Sequence, residues 1–94
     1  PEAVLCAAGI AVHHVVLEPP FTLDAACVAD AVPDDAELVV IGNPTNPTSV
    51  LHRREQVLAL RRPGRIVVVD EAFADAIPGE PHSLAGDPLP DVLV

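Results

Sequence analysis

Two short apolar segments, Leu38–Ile41 and Ile66–Val69, constrain the fold of this chain more than any other feature. Both are rich in β-branched residues, and each runs directly into polar or turn-forming residues. Runs of this kind are typical of strands buried on both faces of a parallel sheet. In such sheets ligands bind beyond the carboxyl ends of the strands, where both polar clusters fall. The sequence therefore predicts a candidate site at that edge of the sheet.

The rest of the chain predicts helices and strands in alternation around these two segments. We expect a helix end over 1–8, a strand near a sheet edge over 11–17, a helix over 23–32 capped by Thr22, a helix over 52–61 with a possible cap at His52, and a strand beginning at 91–94. Short connections between parallel strands require right-handed crossovers. The predicted fold is α/β, a partial three-layer α/β/α sandwich with a mostly parallel sheet.

So few elements would leave apolar surface uncovered. We therefore expect residues 1–94 to form one incomplete large domain, with no second domain present. The alternative is a free-standing small α/β module that binds a partner without catalysis. Its nucleotide-binding version has little support, because no glycine-rich phosphate-binding motif occurs in the sequence.

The charge of the chain limits its partners. The formal net charge is -9, and such an acidic chain is a poor match for nucleic acid or for an anionic membrane surface. No signal peptide or membrane-spanning segment is recognisable, so we expect a cytoplasmic protein. All five basic residues are arginines, so chemistry that depends on lysine cannot be completed within these residues.

Cysteine and histidine do not indicate a metal site. Cys6 and Cys27 lack the spacing of metal ligands, and we expect both to be small buried hydrophobic residues. His13 and His14 are adjacent on a predicted strand, where neighbouring side chains point to opposite faces. We therefore expect no bound metal.

The polar residues after the two main segments form the candidate site. Pro44 and Pro47 restrict the backbone around Asn46, which should hold its side chain in a set direction. Asp70 ends a strand that should be central, so we expect its carboxylate to be partly buried and paired. Alone, Asn46 could be a turn former and Asp70 the cap of a turn. Together, at the ends of strands joined by one crossover, they favour a site.

These two clusters carry a family resemblance. Asn-Pro-Thr-Asn-Pro-Thr at 43–48, followed by Val-Asp-Glu-Ala-Phe at 69–73, resembles the large domain of class I/II aminotransferases. These are fold-type I enzymes that use pyridoxal phosphate (PLP). Asp-Glu-Ala-Phe and the following Ile77-Pro78 are most similar to the histidinol-phosphate aminotransferase and threonine-phosphate decarboxylase group. The resemblance implies PLP as cofactor, a small amino-acid or amino-acid phosphate substrate, and a homodimeric parent protein.

The resemblance also implies roles for single residues. Asn46 corresponds to the asparagine that donates to the phenolic oxygen of PLP, before a peptide bond to Pro47 that is often cis in the family. Asp70 corresponds to the carboxylate that pairs with the pyridine nitrogen. Phe73 stands where the family usually has tyrosine; it lacks the hydroxyl, and we expect it to pack beside the cofactor. Ser49 replaces a usual glycine, and any positive φ there would cost energy.

The resemblance leaves the chemistry itself incomplete. The lysine that forms the Schiff base follows a later strand in the family, so we expect it outside residues 1–94 and assign no catalytic residue within them. These residues alone should therefore be inactive. The parent reaction is expected to be amino-group transfer or decarboxylation of threonine phosphate in cobalamin biosynthesis, and Phe73 tilts the expectation toward the decarboxylase branch.

Overall fold

The computed structural model describes the backbone of residues 1–94 and all side chains except those of Ala25, Cys27 and Ala29. In the order of the chain, its elements are α1 (Glu2–Ala7), α2 (Ala25–Ala31), β1 (Leu38–Gly42), α3 (Arg54–Leu58), β2 (Ile66–Asp70), a short 3-10 helix (Ala74–Ala76) and β3 (Val92–Leu93). The strands form one parallel sheet in the order β1-β2-β3. The predicted α/β class is confirmed.

The pairing of β1 with β2 is in register along the whole of both strands. It runs from Leu38 opposite Ile66 to Gly42 opposite Asp70. The backbone N–H of Asn43 then donates to the carbonyl of Asp70 at 2.9 Å, which continues the pairing one step beyond β1. The carboxyl ends of the two strands are therefore level, and the polar residues that follow them begin at the same edge.

Helices cover one face of the sheet. Val67 and Val69 point to that face and are fully buried in the core, whose buried members are Leu23, Val28, Val57, Leu60, Val67, Val69 and Leu84. Alternate residues point to the other face, where Leu38 is 40% and Ile66 44% exposed. The prediction of burial on both faces is thus wrong, whereas uncovered apolar surface was expected and is confirmed.

The beginning of the chain differs from prediction in two respects. Residues 11–17 form no strand, because they pair with no strand of the described sheet, and an isolated strand leaves its backbone polar groups without partners. Cys6 is exposed rather than buried, since α1 buries none of its residues. The expected burial of Cys27 lies outside the described side chains.

Helix ends follow local chemistry, although not always at the predicted residue. As predicted, α1 ends just before Gly9, which has φ +75°. The N-cap of α2 is Asp24 rather than Thr22: its Oδ1 accepts the N–H of Ala26 at 3.0 Å. The helix therefore begins two residues later than predicted, because a carboxylate at Asp24 already satisfies a free amide of the first turn.

The third helix is shorter than the predicted range 52–61. Its N-cap is Arg53, whose backbone N–H donates to Oε1 of Gln56 at 2.9 Å. The predicted cap at His52 is wrong, because the His52 side chain is buried and hydrogen-bonded to other parts of the chain.

Two arginines of the α3 region make ion pairs. Arg54 pairs with Asp87 and also donates to the carbonyl of Ser83. Arg61 donates two hydrogen bonds to Asp91, each 2.7 Å long, and these lower the pKa of that carboxyl. Both pairs attach the α3 region to the segment that leads into β3.

A buried arginine at the start of β2 joins the connections between elements. The side chain of Arg65 is only 6% exposed and donates to three backbone carbonyls. Nε donates to Ala36 at 2.9 Å, Nη1 to Leu60 at 3.1 Å and Nη2 to Pro33 at 3.1 Å. Pro33 and Leu60 follow α2 and α3, and Ala36 precedes β1. One guanidinium thus fixes the loops at the end opposite the candidate site.

We expect Arg65→Met to lower the free energy of unfolding by about 3 kcal/mol, because it removes three hydrogen bonds to backbone carbonyls. Urea denaturation of the chain measures the loss. Arg62→Met is the matched control: Arg62 is exposed, so its replacement should change stability by less than about 0.5 kcal/mol. Equal losses in both variants would contradict a specific role for Arg65.

Candidate functional site

The residues that follow β1 form a loop whose two ends are joined by one side chain. Asn43 is buried; its Oδ1 accepts the backbone N–H of His52 at 2.8 Å, and its Nδ2 donates to the His52 carbonyl at 3.1 Å. The side-chain amide thus pairs with the His52 backbone as a neighbouring strand would. We call residues 43–52 the NPT loop.

The imidazole of His52 lies beneath this loop and is 1% exposed. Its Nδ1 accepts the backbone N–H of Leu23 at 3.2 Å, and its Nε2 lies 3.0 Å from Oγ1 of Thr45. An amide N–H can only donate, so Nδ1 carries no proton and the neutral ring is protonated at Nε2. Nε2 therefore donates to Thr45, whose hydroxyl donates in turn to the carbonyl of Gly42 at 2.9 Å.

Every polar group of Thr45 takes part in a hydrogen bond. In addition to the two side-chain bonds, its N–H donates to the Val50 carbonyl at 2.9 Å and its carbonyl accepts the Ser49 N–H at 2.7 Å. The next residue, Asn46, therefore follows a residue whose backbone and side chain are both held in place. Its side chain is exposed and makes no hydrogen bond to any described residue, and the Asn46–Pro47 bond is cis, as the resemblance suggested.

Asp70 and Phe73 lie at the end of β2 and are both exposed. The Asp70 carboxylate was expected to be partly buried, but alternation along β2 places it on the uncovered face with Ile66. Its Oδ1 accepts the N–H of Ala72 at 3.1 Å, which is the turn-capping contact considered for it. Phe73 is 54% exposed.

The structure brings the three predicted site residues to one edge of the sheet. Asp70 pairs with Gly42, so the NPT loop with Asn46 and the turn with Phe73 leave the sheet side by side. A carboxylate, an amide and an aromatic ring thus belong to segments that leave the sheet at the same edge. Such a set can pair with a cationic nitrogen, donate to an oxyanion and pack against a planar ring.

Sequence reasoning missed the residues that support this edge. Asn43, Thr45 and His52 hold the NPT loop, and Glu71 fixes the turn after β2. Glu71 accepts the hydroxyl of Ser83 at 2.5 Å and the N–H of Leu84 at 2.7 Å. The only signal for Asn43, Thr45 and Glu71 was that each lies inside one of the two quoted motifs. His52 gave none, because Leu23 lies 29 residues away along the chain.

The histidine pair near the start of the chain does not join this site. His13 and His14 are both exposed, and Nε2 of His14 lies 3.1 Å from Oε1 of Glu2. Within the described residues, no group of three or more His, Cys, Asp or Glu side chains is arranged to hold a metal ion. A helix with the length and apolarity to cross a membrane is likewise not found among them.

We expect Ser49→Gly to raise the free energy of unfolding by about 1 kcal/mol, because a left-handed backbone is sterically strained for a residue that has a Cβ. The φ of Ser49 is +58°. Ser49→Ala is the control, because alanine also has a Cβ and meets the same steric cost. Chemical denaturation should show a gain for glycine alone, and a similar gain for alanine would contradict backbone strain as the cause.

We expect the free energy of unfolding to fall as the pH drops below His52's ordinary pKa of 6.5. Burial lowers the pKa of folded His52, so the unfolded chain takes up this proton at a higher pH than the folded chain. The stabilisation is therefore complete above that value and is lost as the pH falls toward the lowered pKa. Urea denaturation at a series of pH values measures this dependence.

Two variants separate His52 from the other groups that titrate. His52→Gln removes the titrating ring and should flatten the pH dependence just below neutrality. His13→Gln, at an exposed histidine, should leave it unchanged. The same slope in the wild type and in His52→Gln would contradict the assignment.

Comparisons with known proteins identify the family of this chain. The family model described as aminotransferase class I and II matches residues 2–93. Over all 94 residues, the chain is 73% identical to proteins named histidinol-phosphate aminotransferase in Mycobacterium bovis and Mycobacterium tuberculosis, and it spans 25% of their length.

A more distant relative with the same name occurs in Thermococcus gammatolerans. It is 38% identical over 69 residues, which are 73% of this chain and 20% of that protein. No match was found among solved structures. The family model nevertheless covers nearly all of the chain, which therefore belongs to the class I and II aminotransferase family.

Proposed function

We propose that residues 1–94 are part of the PLP-binding large domain of an aminotransferase that takes the amino group of histidinol phosphate. The observation that carries the proposal is the pairing of Gly42 with Asp70, because it brings Asn46 and Asp70 to one edge of the sheet. The names of the relatives support the substrate. They give no support to the expected tilt toward threonine-phosphate decarboxylation, so amino-group transfer is the proposed reaction.

The groups at this edge suit the ring of PLP. Asp70 has one carboxylate oxygen, Oδ2, that accepts no hydrogen bond from the described residues, and an anion is the natural partner of a protonated ring nitrogen. The amide of Asn46 is exposed and can donate to a phenolate oxygen. The exposed ring of Phe73 offers an apolar surface beside them, but it lacks the hydroxyl of the usual tyrosine.

Each of these residues has a defined task in the proposed enzyme. Bound PLP supplies an electron sink for negative charge that develops at the substrate carbon. Asp70 keeps a proton on the ring nitrogen, because its negative charge favours the protonated form. Asn46 orients the ring by donating from Nδ2, and Phe73 excludes water from one side.

The remaining groups must come from elsewhere in the protein. Residues 1–94 contain no lysine, so in the proposed enzyme the amine that holds PLP covalently is supplied by another part of the full-length protein. We propose a homodimer, as the resemblance implies, and a cytoplasmic location, as the sequence analysis expects. A non-catalytic binding module remains the alternative, but no contact described above favours it over the enzyme.

Asp70→Asn tests the proposal in the full-length protein that contains this chain. It should lower kcat/KM for amino transfer from histidinol phosphate by about 10²-fold or more, since a fixed charge that stabilises the transition state is lost. Steady-state kinetics and the dissociation constant of PLP measure the effect. Asp75→Asn, at an exposed carboxylate outside the site, is the control and should behave as the wild type. Near-normal turnover of Asp70→Asn would overturn the assignment.

A further inference from the structure

We infer that His52 is a positioning residue for Asn46, which it holds at the cofactor edge through Thr45. The inference rests on the proposed function, because it gives Asn46 the task of contacting PLP. His52 itself is buried beneath the NPT loop, and its described hydrogen bonds are to Leu23, Asn43 and Thr45 rather than to Asn46, Asp70 or Phe73. Its contribution must therefore pass through the loop.

The first step is that His52 is anchored to the core by Leu23. The Leu23 N–H donates to Nδ1 of His52 at 3.2 Å, and the Leu23 carbonyl accepts from Nε2 of Gln56 at 2.6 Å. The Leu23 side chain is buried in the hydrophobic core. The peptide to which His52 binds is thus fixed on both sides, by α3 and by apolar packing.

The second step is that His52 fixes Thr45 in one rotamer. Nε2–H of His52 donates to Oγ1 of Thr45, and this leaves the hydroxyl proton for the Gly42 carbonyl. The hydroxyl therefore bridges the imidazole and the last residue of β1. Removing the hydroxyl would leave Thr45, the residue before Asn46, held only by its backbone hydrogen bonds to Ser49 and Val50. Removing the imidazole would leave the hydroxyl only its bond to Gly42.

The third step is that each contact is directional and can be removed separately. Glutamine can place an amide N–H near the position of Nε2, whereas asparagine can replace only the acceptor at Nδ1 and does not reach Thr45. Likewise, Thr45→Ser keeps the hydroxyl, whereas Thr45→Val keeps the shape and removes it. The four variants form two matched pairs.

We expect His52→Asn and Thr45→Val to raise the dissociation constant of PLP about tenfold in the full-length protein, the value of one lost hydrogen bond. His52→Gln and Thr45→Ser should stay within about threefold of the wild type. A second readout is the pH midpoint of the absorbance change of bound PLP. The midpoint should rise in His52→Asn and Thr45→Val, because Asn46 then stabilises the ionised phenolic oxygen less.

A merely structural role would lower the melting temperature without moving this midpoint. The double variant His52→Asn/Asn46→Ala supplies the decisive comparison. If His52 acts through Asn46, the midpoint of the double variant equals that of Asn46→Ala alone, whereas independent effects would add. Should His52→Asn fail to fold, Thr45→Val with and without Asn46→Ala makes the same comparison.

The outcomes separate the inference from the proposed function. If Asn46→Ala itself changes neither PLP affinity nor the midpoint, the role proposed for Asn46 is wrong and the inference fails with it. If Asn46→Ala changes both while His52→Asn and Thr45→Val change neither, the proposed function stands and the positioning role is overturned. A shift in His52→Asn and Thr45→Val, together with near-wild-type values in His52→Gln and Thr45→Ser, supports the positioning role.

Discussion

The in-register pairing of β1 with β2 is the constraint on which the described structure depends. It aligns Gly42 with Asp70, so the loop after one strand and the turn after the other begin at the same level. A slip of one residue would turn Val67 and Val69 out of the core and would move Asp70 to the covered face. Packing against α2 and α3 therefore fixes the candidate site as well as the sheet.

Buried polar side chains fix the loops that connect the strands and helices. Asn43, His52 and Arg65 are all buried, and each binds backbone groups in connections rather than in helices or strands. No buried side-chain nitrogen or oxygen among the described residues lacks a hydrogen-bond partner. Because an unpaired buried polar group is costly, these side chains hold the loops in single conformations. Arg65 does this at one end of the sheet, and Asn43 and His52 do it at the other.

The uncovered face explains why the site is more exposed than expected. Asp70 shares that face with Leu38 and Ile66, so no described layer shields its carboxylate. The proposed partner of this carboxylate is a cofactor that binds from the same side. Burial of Asp70 would then accompany binding, and the electrostatic attraction to the ring nitrogen would strengthen as water is displaced.

Local residue patterns determined the position of the two main strands and of the polar residues that follow them. The β-branched runs predicted β1 and β2, the helix end over 1–8 was placed just before Gly9, and Asn46 and Asp70 were assigned to strand ends. These features could be predicted because steric and turn preferences act between residues close in sequence.

Only the tertiary structure decided which of these local preferences prevailed. Residues 11–17 have the composition of a strand but pair with no strand of the described sheet, and no described layer covers the face of β2 that carries Ile66. His52 and Arg65 bind groups some thirty residues away, so neither was recognisable as a structural residue from its neighbours. The physical reason is that burial and hydrogen-bond partners depend on which distant segments come into contact. The spacing of residues along the sequence does not reveal those contacts.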